Sequence, residues 1–362
     1  MKRINQKTLI IAALFSMLIC SCRQSLFVPY TNPKIAYSGR IDTSDRNYAD
    51  LYWSGTTIKM NFEGTSVSAL MDDERGDNYY NIIIDHADPV LLRPDTTKHF
   101  YQLASGLAEG EHAVEIFKRT EWDRGKTSFY GFKINGNPKV LPGPEPKKRK
   151  IEFYGNSITA GYAVEDTSGK DRPDSSFTNN YLSYSRITAD HFNAEYSCIC
   201  KSGIGITISW FPLIMPEMYN RLIPEDPNSR WDFSLYTPDV VVINLLQNDS
   251  WLVNMPDHDS FKLKFGAKKP DDDFIIQAYC QFVKSIREAY PEAQIICMLG
   301  TMDATREGSQ WPEVIKQAVS ELSDPGIYTL FIPFKNTPGH PSIAEQQEMA
   351  GHLIQFIEEN IE

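Results

Sequence analysis

Two hydrophobic periods divide the chain. From Tyr37 to about Val140, apolar and polar residues alternate in short runs, the pattern of strands with one buried face. Thr57–Phe62 and Ser66–Met71 flank Glu63-Gly64-Thr65 and read as a hairpin. Tyr80–Asp85, Phe100–Leu103, His112–Lys118 and Thr127–Ile134 continue at sandwich-like spacing, with bends at Gly110 and Asn135-Gly136-Asn137. Without helical periodicity among them, residues 27–141 are expected to form an all-β sandwich of jelly-roll type. Leu141–Lys150, LPGPEPKKRK, is stiff and Pro-rich and sets a linker at 142–150. Its basic end, Lys147–Lys150, reads as a solvated junction rather than a binding patch.

Beyond the linker the period changes. Continuous apolar runs at Ile151–Tyr154, Glu195–Cys200, Val240–Leu246, Gln294–Leu299 and Tyr328–Ile332 predict buried parallel strands. Helical patterns lie between and after them at Tyr181–Phe192, Phe274–Tyr290, Trp311–Leu322 and Ser342–Ile361. Strand alternating with helix over 151–362 predicts a doubly wound α/β domain. Functional groups in such a sheet gather at the carboxyl ends of the strands.

Candidate chemistry is therefore expected at each strand end. The first stops at Gly155-Asn156-Ser157, a turn that presents a hydroxyl and the backbone N–H groups behind it. After the second comes Ser202-Gly203-Ile204-Gly205, where glycine lets the backbone approach a ligand. Gln247-Asn248-Asp249 follows the third, and Asn248 carries an amide able to face an oxyanion. After the fifth, His340-Pro341 precedes Ser342-Ile343-Ala344-Glu345, a capping box that opens the last helix and fixes His340 at the sheet's active end. The other histidines fall in the β-rich region (His86, His99, His112), within helices (His191, His352) or in a polar loop (His258). Trp210, Trp251 and Trp311 sit after or between the active-end loops, either to stack on a ligand or to pack in core and rim.

Composition narrows the partners. A length of 362 residues favours two domains, and 41% apolar content is that of an ordinary globular chain. A net charge of −11 argues against nucleic acid or an anionic membrane surface, which need a basic footprint. Lys2, Arg3 and Lys7 precede an apolar run, Thr8–Ile19, too short to span a bilayer comfortably, so 1–22 reads as a secretory leader. Cys198, Cys200, Cys280 and Cys297 show no metal spacing and are expected as buried small hydrophobes, a bridge being possible but not required.

Ile19-Cys20-Ser21-Cys22 resembles the bacterial lipoprotein signal, which implies lipidation of Cys22 and an exported chain anchored to the outer membrane; an ordinary cleaved signal is the alternative. Gly-x-Ser, Ser-Gly-x-Gly, x-Asn-Asp and His-Pro-Ser, in that order after successive strands, resemble the SGNH (GDSL-type) hydrolase superfamily. The layout is most similar to carbohydrate esterase family two, acetyl-xylan-type esterases with an N-terminal jelly roll. The strings Tyr37–Asp42, Trp53–Thr56, Phe62–Thr65 and Phe117–Thr120 share in the resemblance. It implies Ser157 as nucleophile, His340 as general base, and an oxyanion hole from the N–H groups of Ser157, Gly203 and Gly205 with the Asn248 amide. It implies an acetylated carbohydrate substrate and no metal or organic cofactor. Non-catalytic glycan binding, or an ester of a lipid, thiol or aryl group, remains the alternative.

Three positions depart from that pattern. Asn156 stands where the family has the aspartate of Gly-Asp-Ser, and Leu246 where it has a glycine, a change expected to reshape the pocket wall. Thr337 and Pro338 occupy the places of the usual aspartate before the histidine. A Ser–His dyad oriented by a backbone carbonyl is therefore expected, with Asp303 the weaker candidate for an orienting acid.

Overall fold

The computed structural model describes residues 24–361. The leader expected over 1–22 and the lipidation expected at Cys22 fall outside the described residues.

Two antiparallel sheets pack around one core in the N-terminal region. One has the order Ile41–Asp42, Ala49–Leu51, Thr127–Gly136, Ser66–Asp73, His99–Ser105, with Gln24–Pro29 also paired to Thr127–Gly136. The other has the order Lys139–Val140, Thr57–Glu63, Glu111–Lys118, Tyr80–Ile84, Val90–Leu92, with Ala36–Ser38 paired to Thr57–Glu63. Alternation builds this core: Ile58, Met60 and Phe62 point inward beside Val67, Ala69 and Met71, while Lys59 and Asn61 stay partly exposed. The strands expected from alternation are all present, with ends within two residues of expectation. Those not foreseen are mostly two or three residues long, too short to display a period.

The C-terminal sheet has five parallel strands in the order Ala194–Cys200, Arg149–Gly155, Val240–Asn244, Gln294–Leu299, Ile327–Phe331. Val241, Ile243, Ile295 and Cys297 face helices Asp272–Ala289 and Trp311–Leu322. Val240, Val242, Ile296 and Met298 face helices Tyr184–His191 and Ile343–Asn360. Burial on both faces explains why these strands read as continuous apolar runs. The third strand ends at Asn244, short of the expected Leu246, because Leu246 turns left-handed (φ 77°) and starts a helix, Gln247–Leu252. Leu246 is buried in the core, so it does not wall the pocket as expected. The four cysteines of the described residues are free and buried.

The halves are tied by more than the Pro-rich segment. Arg40 donates to the carbonyls of Tyr219 (2.6 Å) and Arg221 (2.9 Å) and lies 3.5 Å from the Glu152 carboxylate, both side chains buried. The indole of Trp53 donates to the Leu222 carbonyl at 2.8 Å. The segment itself is held at both ends, Asn61 donating to the Pro142 carbonyl at 3.1 Å and Lys147 to the Ala194 carbonyl at 3.1 Å. Its last residues, Arg149 and Lys150, already belong to the first strand of the parallel sheet.

Candidate active site

Ser157 leads a one-turn helix, Ser157–Ala160, straight off the first parallel strand. Asn156 caps it, its Oδ1 accepting the Ile158 N–H at 3.0 Å, so the amide at this position is enough to hold the turn. The last helix braces the turn, since Gln346 Nε2 donates to the Ile158 carbonyl at 3.0 Å. That helix opens with the expected capping box, Ser342 with Glu345, and so fixes the loop that carries His340. Lys335 staples the same loop by donating to the Thr337 carbonyl (3.0 Å), its hydroxyl (2.7 Å) and the Pro338 carbonyl (3.2 Å). His340 Nε2 thereby lies 2.8 Å from Ser157 Oγ across 183 positions of sequence.

The far side of the ring corrects the expected dyad. Asp171 Oδ2 lies 2.8 Å from His340 Nδ1, and Asp171 Oδ1 accepts the His340 backbone N–H at 2.8 Å. A carboxylate, not a backbone carbonyl, therefore orients the imidazole. Asp303 is engaged elsewhere, accepting from Trp251 Nε1 (3.2 Å) and Arg306 (2.7 Å). Burial pushes the Asp171 carboxyl up, but the His340 hydrogen bonds and the charges of His340 and Lys335 outweigh it and hold it below the usual range. Ionised Asp171 keeps the proton on Nδ1, which leaves Nε2 free to accept the Ser157 hydroxyl proton. Tyr162 closes over the imidazole edge-on, centroids 4.9 Å apart.

The register sets Gly155 level with Cys200 and with Asn244, so the loops beginning at Asn156, Lys201 and Leu245 leave the sheet side by side. Asn248 gives one amide hydrogen to the Ile204 carbonyl at 2.8 Å, and its Oδ1 accepts from Trp210 Nε1 at 3.1 Å. Its second amide hydrogen has no acceptor among the described residues. The N–H groups of Ser157 and Gly203 have no acceptor among the described residues. Gly205 differs: its N–H donates to Ser209 Oγ at 2.9 Å, which removes it from the expected set of oxyanion donors. Its glycine is required by packing, because a Cβ there would stand 2.1 Å from the Ile208 carbonyl and 2.4 Å from Asp249 Oδ2. Asp249 is buried and collects the N–H groups of Ile206, Thr207 and Ile208 with the Thr207 hydroxyl. Burial pushes its carboxyl up despite those bonds.

The tryptophans separate. Trp210 is 41% exposed and borders a groove of about 680 Å³ between residues 208–214 and helix Asp259–Phe265. Trp251 is partly buried, with its indole N–H on Asp303. Trp311 is 6% exposed and belongs to the core under the sheet, so it is packing rather than a sugar platform. Asp171 and Asp249 were not singled out in the sequence, since neither has a motif spacing of its own beyond the Asn-Asp pair.

Residues 37–144 match the family model "Carbohydrate esterase 2 N-terminal". The cellulase/esterase CelE of Acetivibrio thermocellus is 35% identical over 91% of this chain, which spans only 40% of that relative's length. An acetylxylan esterase / glucomannan deacetylase of Cellvibrio japonicus is 24% identical over 95% of both chains. A family two carbohydrate esterase from Clostridium thermocellum, solved with cellohexaose, is 35% identical, covers 90% of this chain and 98% of its own, and superposes with a TM-score of 0.77. Identity at that level along nearly the whole of a family member places this chain in carbohydrate esterase family two.

Proposed function

We propose that the protein is a serine esterase that removes O-acetyl groups from xylan- or mannan-type polysaccharides and oligosaccharides. The observation that carries this reading is the line of contacts from Ser157 through His340 to Asp171, each 2.8 Å. His340 Nε2 takes the Ser157 proton as Oγ attacks the acetyl carbonyl, and Asp171 stabilises the imidazolium that results. The tetrahedral oxyanion receives the N–H groups of Ser157 and Gly203 and the free Asn248 amide hydrogen, each donor worth roughly 3 kcal/mol. The sugar hydroxyl leaves with the proton from His340, and water releases acetate from the acyl-enzyme by the reverse sequence.

The named activities of the A. thermocellus and C. japonicus relatives support a carbohydrate substrate. So does the groove beside the exposed Trp210, which offers an aromatic face next to the oxyanion donor Asn248. We take the two N-terminal sheets, strand Gln24–Pro29 included, as a jelly-roll domain that runs to Leu141, joined through 142–148 to a hydrolase domain that begins at Arg149. We also take 1–22 as the leader and Cys22 as a lipid anchor that holds the exported enzyme at the outer membrane.

Purified protein assayed on 4-nitrophenyl acetate, butyrate and octanoate and on acetylated xylan and glucomannan, with Ser157→Ala as control, tests the reading. Acetate release from both the aryl ester and the polysaccharides, abolished in the control, is expected. Preference for octanoate would move the substrate to lipid esters, and a folded wild type inactive on all of them would end the hydrolase assignment. Radiolabelled palmitate incorporation that disappears in Cys22→Ser tests the anchor.

A further inference from the structure

The string Phe117–Thr120 leads from the N-terminal sheets toward the hydrolase domain, and the residue after it, Glu121, is 2% exposed. Both of its carboxylate oxygens engage one residue of the other half. Oε2 accepts the Ser202 hydroxyl at 2.7 Å, and Oε1 accepts the Ser202 backbone N–H. The backbone that carries this carboxylate is held from its own side, because buried Lys118 donates to the carbonyls of Thr120 (3.0 Å) and Glu121 (3.4 Å) and to Asn78 Oδ1 (2.6 Å).

Ser202 precedes Gly203, whose N–H is one of the three oxyanion donors. Gly203 is left-handed (φ +84°), and its carbonyl accepts the Trp210 N–H at 3.1 Å. The peptide that carries the donor is thus clamped on both sides, by Glu121 before it and by Trp210 after it. Oxyanion stabilisation depends on donors that need no reorientation when charge develops, so a clamp on the peptide acts on the transition state rather than on substrate binding. A bare carboxylate this close would oppose the oxyanion. Lys201 offsets it, its ammonium 3.7 Å from Glu121 and 3.1 Å from Asp123. Burial pulls the Lys201 amine down, yet Glu121 and Asp123 outweigh it and keep it charged.

We infer that Glu121 is a positioning residue that reaches across from the N-terminal sheets and sets the oxyanion-hole peptide Ser202–Gly203. The inference rests on the esterase reading and adds to it that the N-terminal domain is part of the catalytic machinery.

The test uses the full chain and 4-nitrophenyl acetate. Glu121→Leu keeps the bulk of the side chain but removes both acceptors from Ser202. It should lower kcat by roughly ten- to hundredfold, a fraction of what a lost oxyanion donor costs. KM should hold within about twofold, and the inflection of the pH–rate profile should stay in place because Ser157, His340 and Asp171 are untouched. In an Asn248→Ala background the same change should reduce kcat by a smaller factor, since both substitutions act on one oxyanion hole. Ser202→Ala removes one of the two bonds and should lower kcat less than Glu121→Leu does. That variant decides the matter if Glu121→Leu does not fold. Wild-type kcat in the folded variants would overturn the inference, as would a loss that is fully multiplicative with Asn248→Ala or confined to KM or melting temperature. Failure of the esterase reading itself is seen separately, in an inactive wild type.

Discussion

Replacing Asp171 by Asn tests the part of the site that departs furthest from expectation. The side chain makes two 2.8 Å contacts, one to the His340 backbone N–H and one to Nδ1 of its ring, and Asn can satisfy only one of them. With the amide oxygen on the backbone N–H, the amide nitrogen faces Nδ1 and forces the ring proton onto Nε2. Nε2 then cannot accept the Ser157 proton. With the amide reversed, a donor faces the backbone N–H and loosens the loop, a loss of about 1–3 kcal/mol. The wrong tautomer in a Ser-His-Asp triad costs about 10⁴ in kcat, or about 5 kcal/mol at 1.36 kcal/mol per decade. The Asp171 side chain is 28% exposed, so water can take part of its place and moderate the loss. We therefore expect kcat on 4-nitrophenyl acetate to fall by roughly 10³–10⁴, with circular dichroism and melting temperature near wild type. Asp303→Asn should remain within about twofold of wild type, because its partners are Trp251 and Arg306. A loss under tenfold for Asp171→Asn, with a loss of decades for Asp303→Asn, would refute the assignment of the orienting acid.

Gly339→Ala should damage the same relay from the other side. Its φ is +71°, and a Cβ would stand 2.8 Å from Asp171 Oδ1 and 3.0 Å from the Gly169 carbonyl. A drop in kcat of at least about tenfold with about 1–2 kcal/mol less stability is expected from kinetics and urea unfolding. Arg40→Ala removes the partner of buried Glu152 and should cost roughly 3–5 kcal/mol in urea unfolding while the folded fraction keeps its kcat. Buried Lys118 has its amine pulled down to about 8 by burial, against the opposing charges of Asp73, Asp123 and Glu121. Between that value and the unfolded 10.5, the unfolded chain binds a proton that the folded chain does not, so this group adds stability as pH rises through the window. Urea midpoints from pH 8 to 9.5 should therefore climb more steeply for wild type than for Lys118→Met; equal slopes would contradict it.

What the sequence made readable was what local patterns encode. Ser157 and His340 could be placed because each stands at the end of an apolar strand or just before a capping box, features a few residues wide. The two faces of the parallel sheet were readable for the same reason, since both are buried and leave continuous apolar runs. Gly205 misled because a glycine two residues past the donor Gly203 looks the same whether the backbone needs room for a ligand or for Asp249. Leu246 misled because a left-handed turn at a non-glycine residue ended the strand early.

Asp171 was hidden for a different reason. It sits in an irregular acidic loop that has no period, and Asp166 shapes that loop by accepting from Arg172 at its backbone (2.8 Å) and guanidinium (2.9 and 2.7 Å). The stretch is then tied to the N-terminal sheets. Arg119 pairs with Glu165 and donates to the Ser176 carbonyl at 2.9 Å, and Ser175 donates to Asp77 at 2.7 Å. Glu121 does the equivalent for the oxyanion loop. The elements concealed from sequence reasoning are thus those whose geometry is fixed by the other half of the molecule. Long-range hydrogen bonds leave no spacing to read, because the partners are chosen by tertiary packing and lie 46 to 98 positions apart. The Pro-rich segment that looks like a boundary in composition therefore separates two cores without separating two functions. The nucleophile and base come from one half, while the placement of the acid and of an oxyanion donor depends on contacts with the other.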